Sequence, residues 1–252
     1  MSGGRPSPGA IARARAEVSA LHAALADGGL VAWTSGNVSA RVRGEGGGSG
    51  GEGGGLGGEG AGPGGEGAGP GGDLMVIKPS GVAYPDLTPD SMVVCDLDGN
   101  VLEGALAPSS DTATHAYVYR HMPDVGGVVH THSTYATAWA ARSEPIPCVI
   151  TAMADEFGGA VPVGPFALIG SDEIGRGIVA TLTGHRSPAV LMARHGVFTV
   201  GASAADAVKA AVMCEDVART VHLARAYGDL EPLPQDQVDA LHKRYTRQYG
   251  QR

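Results

Sequence analysis

The chain has 252 residues, a length that fits one domain, and a formal net charge of −8. That charge argues against a nucleic-acid or anionic-membrane surface, because either needs a basic footprint. Three widely spaced cysteines and a first segment without the apolar core of a signal peptide favour a reduced, cytoplasmic protein. The sequence contains no run of about 18 apolar residues, the length that is needed to span a membrane.

The first elements are a helix, a strand and a turn. Apolar residues at helical spacing between residues 10 and 27 predict a helix that ends at Gly28-Gly29. Residues 30–34 predict a strand, and Ser35-Gly36-Asn37 predicts a turn. Glycine lets the backbone approach a ligand and asparagine offers an amide, but taken alone a plain hairpin or bulge explains this turn better.

Residues 44–72 form a Gly-rich tract, with 19 glycines among 29 residues. Glutamate recurs every seven residues, but Leu56 is the one large apolar residue, so the repeat is not a coiled coil. Such a composition cannot offset the entropy of ordering the chain. We expect a single domain over 1–252 with a disordered loop insert at about 44–72, ahead of a strand at 74–77.

Two later segments are candidates for binding an anion. Lys78, Ser80 and Gly81 follow the strand at 74–77 and offer an ammonium group, a hydroxyl and open backbone N–H groups, although the spacing is not that of a P-loop. After a hairpin predicted at 92–103, Pro-Ser-Ser-Asp-Thr at 108–112 predicts a helix start, and helix starts also bind phosphate. Capping explains Ser109 or Ser110, but hardly both together.

The stretch Val128-Val129-His130-Thr131-His132 places two histidines two residues apart at the end of an apolar strand. Side chains alternate along a strand, so His130 and His132 face the same way, as two metal ligands or as a plain polar strand end. His195 follows another predicted strand, at 189–193, and Asp111 adds a carboxylate at a helix start. Three histidines with one acid favour a catalytic zinc site.

The remaining elements complete a mixed pattern. We predict a strand at 146–151, a loop at 154–159 that carries two adjacent acids, a helix at 171–183 and a long helix from 203 to 227. Helices and antiparallel-looking strands without a regular βαβ repeat predict an α/β fold of three layers, α/β/α, with a central, mostly antiparallel sheet. We expect His22, His121, His185 and His242 at the surface, and Glu215 paired in the core.

Five ordered motifs carry a resemblance that covers essentially the whole chain outside the insert. They are Ser-Gly-Asn-Val-Ser at 35–39, Lys-Pro-Ser-Gly at 78–81, Pro-Ser-Ser-Asp at 108–111, His-Thr-His at 130–132 and Arg-His-Gly at 194–196. Together they resemble the class II aldolase/adducin superfamily. Asp111 followed by Thr-Ala-Thr-His is similar to the L-ribulose-5-phosphate 4-epimerase branch, whereas the fuculose-phosphate aldolase branch typically has Glu at that position.

The resemblance implies a class II aldolase-like fold and a set of site residues. It assigns one zinc ion per subunit to Asp111, His130, His132 and His195. It assigns the substrate phosphate to Asn37, Lys78, Ser80, Gly81, Ser109 and Ser110. Asp155 and Tyr249 match the two acid/base groups of the epimerases. Tyr245 is the alternative to Tyr249, and the remaining alternative is that this tyrosine is an ordinary surface residue. It further implies a homotetramer with sites at subunit interfaces and no nucleotide cofactor.

The expected activity is interconversion of L-ribulose 5-phosphate and D-xylulose 5-phosphate, a step of arabinose catabolism, by retro-aldol cleavage and re-addition at C3–C4. The first alternative is a class II sugar-phosphate aldolase of the fuculose or rhamnulose 1-phosphate type. A methylthioribulose-1-phosphate dehydratase and a non-catalytic, adducin-like module are the others. The full set of histidines and Asp111 speaks against the module.

Overall fold

A computed structural model describes residues 4–45 and 72–248. Most of the Gly-rich insert, and also Tyr249, lie outside the described residues. The described helices are α1 (Pro8–Asp27), α2 (Thr112–His121), α3 (Thr134–Arg142), α4 (Thr151–Phe157), α5 (Glu173–Leu182), α6 (Ala204–Arg225) and α7 (Gln235–Gln248). The strands are β1 (Asn37–Val42), β2 (Leu74–Ile77), β3 (Val93–Asp96), β4 (Val101–Glu103), β5 (Gly127–Thr131), β6 (Val163–Gly164), β7 (Ala189–Met192) and β8 (Gly196–Gly201).

The eight strands form one sheet in the order β4-β3-β2-β1-β5-β8-β7-β6. Every neighbouring pair is antiparallel except β6 and β7, which are parallel. The prediction of a mostly antiparallel sheet is therefore confirmed. The register sets Asn37 of β1 and Phe198 of β8 on either side of His130 in β5, so the central strands deliver all three residues to one place.

Helices cover both faces of the sheet, as the three-layer prediction requires. On one face, Ile174 and Ile178 of α5 and residues of α2 pack with Val190 and Val200 of the sheet. On the other face, α1 and α6 pack against alternate residues of the same strands, for example Val129. Strand β5 is buried along its whole length because it lies between both layers. Among the residues described, no helix is both long and apolar enough to cross a membrane.

The strand predicted at 30–34 is wrong. The apolar run suggested a strand, but β1 is already paired on both sides by β2 and β5, which leaves no partner for another strand there. Trp33 is 85% exposed and has a left-handed backbone, with φ of 57°. The segment is a turn that leads into β1, and its last residue, Thr34, lines the cavity described below.

The strand predicted at 146–151 and the loop predicted at 154–159 are also wrong. Pro145 and Pro147 lack the N–H groups that a strand ladder needs, and Ile146 forms an isolated bridge with Val161. Helix α4 begins at Thr151 and contains the two acids that were expected in a loop. The glycines that suggested a loop instead end this helix, because Gly158 has the left-handed conformation of a C-terminal cap, with φ of 62°.

The insert joins β1 to β2 at the ends of these strands that are remote from Asn37 and Lys78. At its base, the backbone N–H of Gly44 donates to Asp73 Oδ1 at 2.9 Å, and Gly4 and Glu45 exchange backbone hydrogen bonds. Strand β1 has six residues, so the base lies about 20 Å from Asn37. The described contacts therefore close the hairpin independently of residues 46–71.

We predict that replacing residues 46–71 by an Asn-Gly turn leaves kcat/KM close to the wild-type value. The free energy of unfolding should rise by about 1–2 kcal/mol, since closure entropy falls by about 0.6 kcal/mol for each halving of a flexible loop. Urea unfolding and a turnover assay check both. A large loss of activity in a stable, folded variant would show that residues 46–71 contribute to the site.

His22 of α1 is buried rather than exposed, so the surface prediction for it is wrong. Its Nδ1–H donates to the Val18 carbonyl at 2.7 Å, and its Nε2 accepts the Val38 N–H at 2.9 Å. Burial is the main cause that lowers the pKa of His22 to about 3. Below pH 6.5 the unfolded chain binds a proton at this residue that the folded chain does not, so stability is lost as the pH falls from 6.5 towards 3.

The His22→Gln variant tests this. Wild type should lose about 1.4 kcal/mol per pH unit more than the variant between pH 6.5 and 5, because one group contributes that amount per pKa unit. Urea unfolding at pH 7.5 and 5.0 measures the difference, with His121→Gln, a substitution on the exposed side of α2, as the control. Equal pH dependence in wild type and His22→Gln would show that His22 does not remain neutral in the fold.

Candidate metal and phosphate-binding site

Three histidines converge at one end of the central strands. His130 is in β5, His132 follows its last residue, and His195 lies in the turn between β7 and β8. Their ligand nitrogens all lie within 4.8 Å of one another, and the Nε2 atoms of His130 and His132 are 2.9 Å apart. A Cβ on Gly196 would lie 2.7 Å from the Thr131 carbonyl oxygen, so glycine is needed where the two strands bring the rings together.

The protonation of this cluster suits a metal. His130 Nδ1–H donates to the Val197 carbonyl at 2.9 Å, which leaves the Nε2 lone pair directed at His132. Burial lowers the pKa of His130, His132 and His195. The three rings are therefore neutral near pH 7, the form that binds a metal ion. Phe198 stacks on His130, with ring centroids 4.1 Å apart, and fixes its orientation.

Asp111 lies beside the histidines at the start of α2. It occupies the N-cap position, but its side chain makes no capping hydrogen bond. Instead its Oδ2 accepts a hydrogen bond from Asn37 Nδ2 at 2.7 Å. Burial by itself would raise the pKa of Asp111, but it is outweighed by attraction to His130 and His115 in their protonated forms and by the Asn37 hydrogen bond. The pKa of Asp111 is therefore lowered, and the carboxylate is ionised. Asp111 lies outside the set of three whose ligand atoms are mutually within 4.8 Å.

One cavity of about 290 Å³ collects all ten residues that the sequence assigned to metal or phosphate. Its two outer loops are held together, since Ser109 N–H donates to the Lys78 carbonyl at 2.9 Å and Ser80 N–H to the Ala107 carbonyl at 2.8 Å. Lys78 is 2% exposed, and its Nζ donates to the carbonyls of Thr34 and Pro79. Among the residues described it forms no ion pair, so its charge is available to an anion in the cavity.

Of the two residues predicted as acid/base groups, the structure describes only Asp155, and Asp155 is not at this cavity. Asp155 lies on α4, half-buried, and is absent from the cavity lining. Its Oδ1 is buried and accepts no hydrogen bond within the described part of the chain. Tyr249 lies outside the described residues. The alternative, Tyr245 on α7, donates its hydroxyl to Glu156 at 2.7 Å and accepts from Lys209 at 2.9 Å.

Several residues of the site were not predicted individually. Thr34, Ser35, Gly36 and Ile169 also line the cavity. The Ser35-Gly36 turn is held by Tyr84, whose hydroxyl donates to both carbonyls, at 2.7 and 3.1 Å. The motif at 35–39 was a usable signal for this turn, but nothing in the sequence indicated Ile169, which reaches the cavity from the loop before α5.

Glu215 also supports the site, from α6. Its carboxylate accepts the backbone N–H groups of Tyr135 and Ala136, each at 2.9 Å, and so caps α3 in place of Ser133. Because α3 begins two residues after His132, this cap anchors the segment that carries the second histidine. The sequence predicted that Glu215 is paired in the core, but it did not identify the groups that Glu215 binds.

Comparisons with known proteins identify the family to which the chain belongs. The model of the family described as "Class II Aldolase and Adducin N-terminal domain" matches residues 16–222. L-ribulose-5-phosphate 4-epimerase UlaF of Salmonella paratyphi B is 40% identical over 232 residues, covering 88% of this chain and 89% of its own. The same enzyme of Salmonella typhi matches equally well.

Solved structures match the fold over nearly the whole chain. An L-fuculose 1-phosphate aldolase superposes with a TM-score of 0.77 at 26% identity, covering 92% of this chain and 96% of its own. YgbL of Klebsiella pneumoniae, named a putative aldolase/epimerase/decarboxylase, superposes with a TM-score of 0.71 at 24% identity, covering 92% and 98%. The chain belongs to the class II aldolase and adducin family.

Proposed function

We propose that this protein is an enzyme that interconverts L-ribulose 5-phosphate and D-xylulose 5-phosphate, a 4-epimerase. The observation that carries the proposal is the 40% identity to UlaF across 88% of this chain and 89% of that one. Asp111, in the place of the Glu typical of the aldolase branch, supports the same choice. The substrate is accordingly a phosphorylated pentulose, and no nucleotide is required.

The donor set of the cavity fits a zinc ion. His130, His132 and His195 would supply three neutral nitrogens and Asp111 one carboxylate oxygen, a mixture typical of catalytic zinc and unlike the Cys-rich set of a structural site. When bound, zinc supplies a Lewis acid for the negative charge that develops at the substrate's ketone oxygen. This charge stabilisation replaces the Schiff-base lysine that other aldolases use.

The other end of the cavity fits the substrate phosphate. Lys78 offers a buried charge without an ion pair among the described residues. The loops around it offer the hydroxyls of Ser80, Ser109 and Ser110 and the backbone N–H groups of Gly81 and Ser110. Asn37 connects the two halves, because its Nδ2 donates both to Asp111 and to Ser109 Oγ, at 2.7 and 3.0 Å. The phosphate would thus hold the pentulose with its ketone towards the histidines.

The reaction needs two acid/base groups on opposite sides of C4. One group accepts the C4 hydroxyl proton, the C3–C4 bond breaks, and its electron pair stays with the dihydroxyacetone fragment. The glycolaldehyde phosphate fragment then turns its other face, the bond re-forms, and the second group returns a proton to the C4 oxygen. We assign these roles to Asp155 and Tyr249.

Because Asp155 lies away from its own chain's cavity, the assignment implies that another subunit supplies it. Asp155 is only half-buried in its own chain, so part of the residue is open to an adjacent copy. We therefore propose a homotetramer in which each cavity receives Asp155 and Tyr249 from an adjacent copy.

The test is a coupled assay in which purified protein loaded with Zn²⁺ is given L-ribulose 5-phosphate and D-xylulose 5-phosphate is followed. We expect pentulose product with one equivalent of zinc per chain. A metal-free protein indifferent to EDTA would instead favour a non-catalytic module.

An aldolase is the second candidate, since an L-fuculose 1-phosphate aldolase superposes on this chain with a TM-score of 0.77. An aldolase releases both fragments, whereas an epimerase retains them until the bond re-forms. Net accumulation of an aldehyde from L-fuculose 1-phosphate or L-rhamnulose 1-phosphate, with no pentulose epimerisation, would favour it.

A further inference from the structure

Two hydrogen-bonded side-chain pairs join strand β1 to helix α2 beside the candidate metal site. Asn37 and Ser39 are two residues apart on β1 and face the same side, and Asp111 and His115 are four residues apart at the start of α2. Asn37 Nδ2 is 2.7 Å from Asp111 Oδ2, and Ser39 Oγ is 2.7 Å from His115 Nδ1. Asn37 and Asp111 line the cavity. Ser39 lies two residues further along β1, and His115 lies one helical turn further along α2.

The second pair is part of a fully buried chain of three side chains. Ser39 Oγ also lies 2.7 Å from the Tyr119 hydroxyl, and Ser39, His115 and Tyr119 are all 0% exposed. Burial lowers the pKa of His115 to about 4, so the ring is neutral near pH 7. Ser39 thus holds Nδ1 of the neutral ring, and Nε2 is the nitrogen left for another partner.

His115 Nε2 is buried and has no hydrogen-bond partner among the described residues. The charge of the Asp111 carboxylate, one helical turn earlier, opposes the burial that lowers the pKa of His115. His115 also meets Phe198 edge-on at a centroid distance of 6.3 Å, and Phe198 stacks on His130. His115 is thus linked to Asp111 through the helix and to His130 through one ring.

This connection explains why Asp111 does not cap its own helix. An aspartate at an N-cap position ordinarily accepts a backbone N–H of its own helix, yet Asp111 makes no such bond. Asn37 draws the carboxylate towards the cavity, and the Ser39–His115 bond keeps β1 and α2 at the spacing that the Asn37–Asp111 bond requires.

We propose that His115, held by Ser39 and Tyr119, is a positioning residue that fixes Asp111 and His130 for metal binding. The inference rests on the proposed function, because it presupposes a metal at the histidines. Residues that orient metal ligands commonly change metal affinity by about 10–100-fold when they are replaced. The effect of losing His115 should therefore appear in the affinity for the metal, before any turnover is measured.

The experiment compares His115→Phe and Ser39→Ala with wild type. His115→Phe keeps an aromatic ring of similar shape and removes both nitrogens, and Ser39→Ala removes only the hydroxyl that holds the ring. The matched control is Thr199→Val, which removes another buried hydrogen bond, from Thr199 Oγ1 to the Ala207 carbonyl, on the opposite face of the sheet from Phe198. Zn²⁺ affinity is measured by competition with a chromophoric chelator, and folding by urea unfolding.

We expect both site variants to bind Zn²⁺ about tenfold more weakly and Thr199→Val to bind it like wild type. If His115→Phe does not fold, the Zn²⁺ affinity of Ser39→Ala alone tests the positioning role of His115. Wild-type affinity in the folded site variants, or equal weakening in Thr199→Val, would overturn the positioning role while leaving the metal site intact. A wild-type chain that binds no metal would overturn the proposed function and this inference with it.

Discussion

Replacing His132 by asparagine is expected to remove the metal and to lower kcat/KM by about 1,000-fold or more. The cluster holds three nitrogens within 4.8 Å of one another, and losing one leaves two histidines and one carboxylate. A Lewis acid contributes several kcal/mol to the stabilisation of developing charge, and about 4 kcal/mol corresponds to a factor of about 1,000 in rate. Metal content and kcat/KM of the purified variant measure the effect.

The control for this variant is His121→Asn, because His121 is exposed on α2 and its ring bonds to the Tyr117 carbonyl of its own helix. It should keep both the metal and the activity. Because His132 is exposed, His132→Asn should still fold, which urea unfolding verifies. If His132→Asn retained one equivalent of metal and normal turnover, the histidine cluster would not be the catalytic centre.

Replacing Asp155 by asparagine should lower kcat by about 100- to 10,000-fold, with metal content and KM nearly unchanged. An amide keeps the size of the side chain but cannot accept the C4 hydroxyl proton, and a general base contributes a factor of this order. The neighbouring acid offers the matched control. Glu156→Gln removes an acid that is paired with Lys209 and Tyr245, so it should leave kcat close to the wild-type value.

The Asp155→Asn variant also tests whether each active site lies between two subunits. Asp155→Asn and His132→Asn should each be inactive alone, because every cavity lacks one essential group. When the two variants are dissociated and reassociated together, some cavities should combine an intact histidine cluster with an intact Asp155 from the adjacent copy. Recovery of a substantial fraction of the activity is expected. No recovery in mixed oligomers of demonstrated composition would place Asp155 at its own chain's cavity or outside catalysis.

The cavity residues could be predicted from sequence because each lies where an element begins or ends. His130 and His132 follow from the alternation of side chains along one apolar strand, and Asp111 from a helix start with more polar residues than capping needs. Arg194 allows His195 to turn into the cluster by adopting a left-handed backbone, with φ of 59°. Local chemistry thus indicated the residues, and the pairing of β1, β5 and β8 brought them together.

What the sequence could not predict depends on contacts between distant segments. The run at 30–34 has strand-forming residues, but the strands that could pair with it are already taken. Gly158 and Gly159 fit both a loop at 154–159 and the end of a helix. Only the packing of α4 against α6 and α7 decides that a helix precedes these glycines. The burial of His22 likewise depends on Val38, whose N–H reaches its ring across 16 residues of chain.

A single time course with ¹³C-labelled L-ribulose 5-phosphate tests the central claim most directly. NMR spectra of the zinc-loaded protein should show conversion to D-xylulose 5-phosphate until the two pentuloses reach equilibrium, without accumulation of dihydroxyacetone or glycolaldehyde phosphate. Stoichiometric release of these two fragments, or no change in the labelled substrate while zinc remains bound, would contradict the account.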